Sequence, residues 1–339
     1  MTEDRLVLTS ASQAEAGIQT EESQTTEQQE VIDMKPSQLN VSKPAAIGIG
    51  VGILLLLLAL AAAFRKKKEA VQEEDSPKEP VQEMKNREPV GQTEIPNGIG
   101  VGKVHHIGKR NQQQDCFGMT GTPSGVFAVV ADGMGGLADG DKVSQKVVAT
   151  MLQEAVQPSG NSDRRLYHMV ARANEEVNRM LGAAGQYKSG STLVAVLAEQ
   201  GRFEWVSVGD SRIYLYRGGR LMQLNREHNY EAELLQMAVN GDVSFAEVQR
   251  HPQRKGLTSF IGMGKLKYID GSPRAIEIQA GDMLLLMSDG VFNTLPEQEM
   301  CEMIQNYGQA EQIAEAFEKQ ILDYGRPGQD NFTVVMLQF

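Results

Sequence analysis

Residues 126–136 read VFAVVADGMGG, and this stretch decides the fold. Its apolar, largely β-branched run is typical of a buried strand, and the run ends at Asp132. Glycines follow from position 133 onward, and a glycine leaves room for a backbone carbonyl or a water molecule to come close. The stretch therefore predicts a buried strand that delivers a carboxylate to its own end, where other groups can approach it.

Aspartate recurs beside other apolar runs of the chain. Asp210 lies in VSVGDSRIYLY, Asp289 ends MLLLMSDG, Asp330 precedes NFTVV, and Asp115 lies in NQQQDCFG. Carboxylates gathered at one sheet edge would repel one another, and a hard divalent cation such as Mg²⁺ or Mn²⁺ relieves that repulsion with oxygen ligands. The alternative is that each aspartate only caps a turn. The pattern alone leaves both interpretations open.

Composition excludes several classes of function. The 339 residues are 41% hydrophobic, which is enough for a sizeable core. The net charge of −11 argues against nucleic acid as a partner, because phosphate backbones need clustered Lys and Arg. Cys116 and Cys301 are too few for a disulfide framework and lack the paired spacing of a zinc site. A reducing compartment is therefore favoured for most of the chain.

Residues 45–64, AAIGIGVGILLLLLALAAAF, predict a transmembrane helix. They contain no charge, and as a helix they would span roughly 30 Å, the thickness of the hydrocarbon layer. RKKK follows at 65–68, which places the C-terminal part in the cytoplasm and the N-terminus outside. A cleaved signal peptide fits poorly, because 44 mostly polar residues come first. A buried core helix is the other alternative.

The rest of the chain divides into three segments that differ in amino-acid composition. Residues 1–44 predict a disordered extracytoplasmic tail, and residues 65–97 predict a charged cytoplasmic linker. Residues 98–339 predict a single large domain. Helical periodicity occurs at about 142–157, 163–181, 230–240 and 309–323. Strand patterns occur at 126–131, 191–198, 203–208, 212–217, 283–287 and 332–338. Tight turns such as RGGR (217–220) favour antiparallel hairpins over a doubly wound parallel sheet.

Eight motifs follow one another in residues 98–339. They are RNQQQD (110–115), VVADGMGG (129–136), GDKVS (140–144), SGSTLVAVL (189–197), VGDSRIYLYRGGRLMQLNREHN (208–229), HPQRKGLTSFIG (251–262), LLLMSDGVFNTL (284–295) and QDNFTVV (329–335). In this order they resemble the motifs of the metal-dependent protein phosphatases of the 2C type, in their bacterial form. One such motif is weak evidence, whereas eight in order are highly specific.

The resemblance implies an α+β fold, a four-layer αββα sandwich, here preceded by one transmembrane helix. It also implies two Mn²⁺ or Mg²⁺ ions at one end of the sandwich, with a third, weaker ion in bacterial members. The resemblance assigns a role to each of eight residues. Asp132 would bridge both metals, and the Gly133 carbonyl would reach one of them through water or directly. Asp289 would hold the first metal, Asp330 the second, Asp115 would act through a bound water, and Asp210 would serve the third metal. Arg110 would bind the phosphate, and Asn331 would support the phosphate or its metal water.

The implied function is a serine/threonine protein phosphatase that uses a metal-activated water. Its partners would be phosphorylated proteins and a Ser/Thr kinase that it opposes in membrane-linked signalling. A second hypothesis is a catalytically weak module that binds phosphoproteins and relays a signal. A third is a switch phosphatase acting on anti-sigma-factor antagonists, which only a substrate test separates from the first.

Several positions depart from the family pattern. Gln114 stands where an acidic residue is common, Leu137 replaces a frequent His, Glu227 replaces Asp, and Met134 occupies the position of a His in animal members. None of these removes a predicted metal ligand. Segment 229–256 matches a flap where we expect substrate choice to be made. The five histidines are interpreted as structural or exposed: His105, His106, His168, His228 and His251.

Overall fold

A computed structural model describes residues 95–135, 139–157 and 164–339. The predicted tail (1–44), the predicted transmembrane helix (45–64) and most of the predicted linker lie outside these residues. Within the described ranges, no helix combines the length and the apolar character needed to cross a bilayer.

The described chain contains two antiparallel sheets. The strands are β1 (Gly100–His106), β2 (Asp115–Thr122), β3 (Gly125–Gly135), β4 (Ser189–Ser191), β5 (Leu193–Glu199), β6 (Arg202–Val208), β7 (Arg212–Arg217), β8 (Arg220–Gln223), β9 (Asp270–Gly271), β10 (Ile276–Glu277), β11 (Met283–Met287) and β12 (Phe332–Gln338). The first sheet has the order β1-β12-β11-β7-β8. The second has the order β10-β6-β5-β3-β2, with β4 beside β3 and β9 beside β6.

Seven helices connect these strands within the described ranges. They are α1 (Gly140–Ala155), α2 (Arg165–Gly185), α3 (Tyr230–Asn240), α4 (Phe245–Arg250), α5 (Asp289–Phe292), α6 (Glu297–Tyr307) and α7 (Ala310–Asp323). Helices α1 and α2 share an apolar cluster with the second sheet, and α6 and α7 share one with the first sheet. A third cluster fills the space between the two sheets. The predicted four-layer αββα sandwich is therefore confirmed.

The alternation of side chains explains why the central strands read as continuous apolar runs. In β11, Leu284 and Leu286 enter the core between the sheets, whereas Leu285 and Met287 pack against the helices. Successive side chains of a strand point to opposite faces, and here both faces are covered. Strands buried on both sides need apolar residues throughout, which is why 126–131 shows no polar alternation.

Segment 229–256, the predicted flap, forms helices α3 and α4. The two helices pack through a small apolar cluster of their own, in which Leu234, Ala238 and Val248 are buried. The segment is attached beside the β6–β7 turn, because the His228 N–H donates to the Gly209 carbonyl at 2.8 Å. This attachment places the flap next to Asp210.

Candidate active site

The two sheets deliver five aspartates to one end of the sandwich. Asp115 opens β2 and is paired directly with Asp132 near the end of β3. Asp289 follows β11 and Asp330 precedes β12, and these two strands are antiparallel neighbours. Asp210 lies in the turn between β6 and β7. The structure thus brings together the carboxylates that the sequence distributes over more than 200 positions.

Asp132 is fixed through its backbone. Its N–H donates to the Thr192 hydroxyl at 2.9 Å. Its carbonyl oxygen accepts from the Thr192 N–H at 2.9 Å and from the Ser191 hydroxyl at 3.0 Å. The Thr192 hydroxyl also lies 2.7 Å from that of Ser211, which follows Asp210. Ser191 and Thr192 therefore connect the backbone of Asp132 to the turn that carries Asp210.

Two glycines permit close approach of backbone segments beside the carboxylates. A Cβ on Gly133 would lie 2.1 Å from the Gly140 carbonyl oxygen, and one on Gly290 would lie 2.0 Å from the Asn331 carbonyl oxygen. Any side chain at either position would force the backbone apart. This accounts for glycine after Asp132 and Asp289, while the metal-binding role predicted for the Gly133 carbonyl stays a prediction.

Asp115 is the most enclosed of the carboxylates. It is 4% exposed, and its Oδ2 atom accepts from the Ser288 and Thr333 hydroxyls at 2.7 Å each. Its Oδ1 atom is buried without a hydrogen-bond partner. Burial raises the pKa of Asp115 to about 7, and the charges of Asp289 and Asp330 add to the effect against the two hydroxyl bonds.

Three of the other carboxylates also have raised pKa values, which means that their surroundings disfavour the charged form. Burial raises the pKa of Asp132 well above its usual value, and the charges of Asp115 and Asp289 raise it further. Burial, followed by the charge of Asp289, raises the pKa of Asp210 to about 7. Burial and the charge of Asp330 raise the pKa of Asp289. Mutual repulsion of this kind is what a bound cation would relieve.

The donors at this end fit Mg²⁺ or Mn²⁺. All are oxygen atoms, and the orphaned Oδ1 of Asp115 is a buried acceptor with no protein donor. In the described ranges, however, no group of three or more His, Cys, Asp or Glu side chains is arranged to hold an ion directly. The carboxylates flank the site without enclosing one point, which suits ions that retain several water ligands.

Arg110 lies at the same end of the sandwich as the five aspartates, and its guanidinium contacts the Asp330 carboxylate. Its Nη2 donates to Asp330 Oδ2 at 2.6 Å, and the two side chains are 53% and 38% exposed. Exposed ion pairs contribute little stability, so this one exchanges readily for another anion. The predicted phosphate-binding role of Arg110 is compatible with this position.

Asn331 has different contacts from those predicted. Both hydrogens of its amide donate to backbone carbonyls, of Ile107 at 2.8 Å and of Gln112 at 3.0 Å. Its oxygen accepts from the Gln114 N–H at 2.8 Å. The side chain is thus fully used in fixing the loop that carries Arg110. No donor remains for the phosphate contact that the sequence predicted.

Two hydroxyl residues of the site were not predicted. Ser288 and Thr333 hold Asp115, and each lies within three positions of a predicted metal ligand, in MSDG and in DNFT. A hydroxyl next to a strand-end aspartate was the available signal. Cys116, by contrast, is buried, and burial raises the pKa of its thiol to about 12, so it behaves as a packing residue.

A family model described as Protein phosphatase 2C matches residues 102–323, and the chain belongs to that family. Serine/threonine phosphatase stp of Listeria monocytogenes serotype 4b (strain F2365) is 31% identical over 220 residues, 62% of this chain and 84% of that protein. Serine/threonine protein phosphatase PstP of Mycobacterium tuberculosis (strain ATCC 25618 / H37Rv) is 30% identical over 210 residues, 61% of this chain and 39% of that protein.

Solved structures agree with this assignment. The Mycobacterium tuberculosis serine/threonine phosphatase PstP/Ppp has a TM-score of 0.60 and 26% identity, and covers 71% of this chain and 98% of its own. The catalytic domain of PstP, solved in complex with two manganese ions, has a TM-score of 0.58 and 25% identity, and covers 71% and 97%. Metal ions are therefore part of the chemistry of this family.

Proposed function

We propose that this chain is a metal-dependent protein phosphatase that hydrolyses phosphoserine and phosphothreonine in proteins. The observation that carries the proposal is the convergence of five carboxylates and Arg110 at one end of the sandwich. Relatives named as serine/threonine phosphatases support the substrate class.

The residues that would hold two Mn²⁺ or Mg²⁺ ions are those of the carboxylate cluster. Asp132 would serve both ions, and the Gly133 carbonyl would reach one of them through water or directly. Asp289 and Asp330 would serve one ion each, Asp115 would contribute through water, and Asp210 would hold a third ion. When bound, such ions lower the pKa of a water molecule, so that a hydroxide nucleophile exists near neutral pH. The protein itself keeps the carboxylates at one end of the sandwich and excludes bulk water from Asp115.

Arg110 would orient the phosphoryl group. Its guanidinium matches two phosphate oxygens, and it neutralises charge that builds on the equatorial oxygens during in-line attack. In the structure it donates to Asp330. A cation held by Asp330 would compete with Arg110 for the same carboxylate and would leave the guanidinium available to the phosphate.

Replacing Arg110 by alanine is expected to lower kcat/KM about 10- to 100-fold, mainly through KM, because a hydrogen bond to a charged group contributes about 1.5–3 kcal/mol. Arg110→Lys should recover only part of this loss, since lysine cannot bind bidentately. Steady-state kinetics on a phosphothreonine peptide measures both. Arg202→Ala is the control, because Arg202 is exposed and begins β6 at the end away from Asp210. An unchanged KM in Arg110→Ala would remove Arg110 from phosphate binding.

The proposal is tested by hydrolysis of p-nitrophenyl phosphate and of a phosphothreonine peptide. The full chain, purified in mild detergent, is assayed with Mn²⁺, with Mg²⁺ and with EDTA. We expect turnover that needs the metal and that Asp289→Asn abolishes, because Asp289 is a predicted ligand. Glu315→Gln, an exposed carboxylate in the middle of α7 and outside the flap, is the matched control and should retain full activity.

The same assay separates the competing hypothesis. A folded chain that binds Mn²⁺ but shows no turnover would favour the module that binds phosphoproteins and relays a signal. In that case Gln114→Glu, which restores the acidic residue common in the family, becomes the first reversion to test. Turnover lost in both Asp289→Asn and Glu315→Gln would point to damage unrelated to the site.

We further propose that the chain is a single-pass membrane protein with its phosphatase domain in the cytoplasm, opposing a Ser/Thr kinase. The support is the uncharged run 45–64 followed by RKKK. The full chain is expected to stay in the membrane fraction after a high-salt wash, and its domain should be cleaved by protease only after cells are opened. Release by salt would contradict the anchor, and cleavage in intact cells would contradict the orientation.

A further inference from the structure

Asp115 is held by groups from the opposite sheet. Asp115 lies on β2 of the second sheet. Ser288 directly follows β11 and Thr333 lies on β12, and both of these strands belong to the first sheet. The two hydroxyls converge on one carboxylate oxygen, Oδ2. The Ser288 hydroxyl is itself fixed, because it accepts from the Thr333 N–H at 2.9 Å. This arrangement leaves Oδ1 as the buried atom without a protein partner.

His105 extends this chain by one residue. It lies on β1 directly opposite Thr333 on β12, and its Nδ1 is 3.0 Å from the Thr333 hydroxyl oxygen. A hydroxyl has one hydrogen, which here goes to the Asp115 carboxylate. The imidazole Nδ1 must therefore be the donor to the Thr333 oxygen.

The surroundings of His105 favour this direction of hydrogen bonding. Burial, followed by the charge of His106, lowers the pKa of His105 to about 4, so the ring is neutral at physiological pH and carries one N–H. The ring lies 5.2 Å from that of Phe117, which is two residues beyond Asp115 on the same face of β2. The imidazole is thus held between Thr333 and the strand that carries Asp115.

We propose that His105 is a positioning residue for Asp115, acting through the Thr333 hydroxyl so that Oδ2 is pinned and Oδ1 faces the metal site. The inference deepens the proposed function and rests on it, because it gives Asp115 a role toward the cation. Without the His105 donor, the Thr333 hydroxyl loses the contact that orients it toward Asp115, and Ser288 alone is left to hold Oδ2. Groups that orient metal ligands in this way typically contribute about 10- to 100-fold to metal affinity or activity.

The test compares variants that keep or remove the donor at position 105. Asparagine places its Nδ2 where histidine has Nδ1, whereas leucine keeps apolar bulk without a donor. Mn²⁺ binding to the full purified chain is followed by the electron paramagnetic resonance of the free ion. His105→Leu should bind Mn²⁺ about 10-fold more weakly than the parent chain, and His105→Asn should stay within about threefold. His168→Leu, an exposed histidine on α2, is the control.

Thr333 provides the second half of the test. Thr333→Val should weaken Mn²⁺ binding at least as much as His105→Leu, Thr333→Ser should not, and the double variant should be no weaker than Thr333→Val alone. Equal Mn²⁺ binding by His105→Leu and the parent, no rescue by His105→Asn, or additive losses would each overturn the inference. If His105→Leu fails to fold by circular dichroism, His105→Gln replaces it in the comparison with His105→Asn, because the glutamine amide lies where histidine has Nε2 and leaves no donor at the Nδ1 position. A parent chain without Mn²⁺-dependent turnover would instead refute the proposed function.

Discussion

Asp132→Asn is expected to abolish metal-dependent turnover and, at the same time, to stabilise the metal-free protein. The loss should be on the order of 10³-fold or more, because a bound metal contributes several kcal/mol to catalysis and each 1.36 kcal/mol is a factor of about ten. Asp132 is the residue expected to serve both ions, so no neighbouring carboxylate can replace it.

The gain in stability has an electrostatic origin. Asp132 is held with a raised pKa by burial and by the charges of Asp115 and Asp289. A neutral amide removes this penalty, and at pH 8 in EDTA we expect a free energy of unfolding about 1–3 kcal/mol higher than that of the parent. Denaturant unfolding and the phosphatase assay measure the two effects on the same sample.

The control for both effects is Glu315→Gln, which should change neither activity nor stability. A less stable Asp132→Asn protein in EDTA would show that the carboxylate is satisfied without metal. Retained turnover would contradict the placement of Asp132 at the reaction centre. The two readouts are needed together, because a variant that is merely misfolded loses activity and stability at once.

The buried strands could be predicted from the sequence because both of their faces are covered. The runs at 126–131 and 283–287 are apolar at every position, and the run at 332–338 is apolar at all but Thr333 and Gln338; all three are strands in the structure. The RGGR turn joins β7 to β8 with Arg217 opposite Arg220, as the two glycines predicted. Helix α1 begins at Gly140, two residues before the predicted start, and a Cβ at this position would lie 2.4 Å from Gln114 Nε2.

Elements with weaker patterns were missed. Strand β2 reads DCFGMTGT, and its two glycines and two threonines obscure the apolar alternation. Helix α6 is mostly polar, with only Met300 and Ile304 buried in a single i, i+4 pair. Its stability comes from packing on the first sheet, which intrinsic propensity does not reveal.

The predicted aspartates were brought together, but the groups that hold them depend on how the sheets pack. Asp115 and Ser288 are 173 positions apart, and Asp115 and Thr333 are 218 apart. No local periodicity encodes a contact across two sheets. The same holds for Asn331, whose motif predicted a phosphate contact and whose amide instead fixes the loop before Asp115.

Metal-free protein is expected to lose stability as the pH rises from about 4 to about 7, and added Mn²⁺ should restore it most strongly above pH 7. In the folded state the pKa values of Asp115 and Asp210 are raised from 3.8 to about 7. Between these values the folded protein binds more protons than the unfolded chain, so stability must fall as the pH rises. Each group contributes up to about 4 kcal/mol by this argument.

Mn²⁺ acts in the opposite direction, because it binds the ionised carboxylates of the folded state. At 100 times its dissociation constant a ligand stabilises by about 2.7 kcal/mol. Thermal unfolding in EDTA and in Mn²⁺ at pH 5.5 and pH 7.5 should therefore give nearly equal Tm values at the lower pH. At the higher pH, the Mn²⁺ sample should melt several degrees above the EDTA sample.

Asp210→Asn isolates one carboxylate from the others in this profile. Some groups outside the site titrate in the opposite sense, because hydrogen bonds from Ser244 lower the pKa of Glu247. The difference between the parent and the variant cancels such contributions. We expect the stability of Asp210→Asn in EDTA to fall less steeply than that of the parent between pH 4 and pH 7. The stability of Asp242→Asn, an exposed aspartate outside the carboxylate cluster, should follow that of the parent. Parallel profiles for the parent and Asp210→Asn would mean that the pKa of Asp210 is not raised in the folded state. That result would remove the physical reason for a third cation beside Asp210.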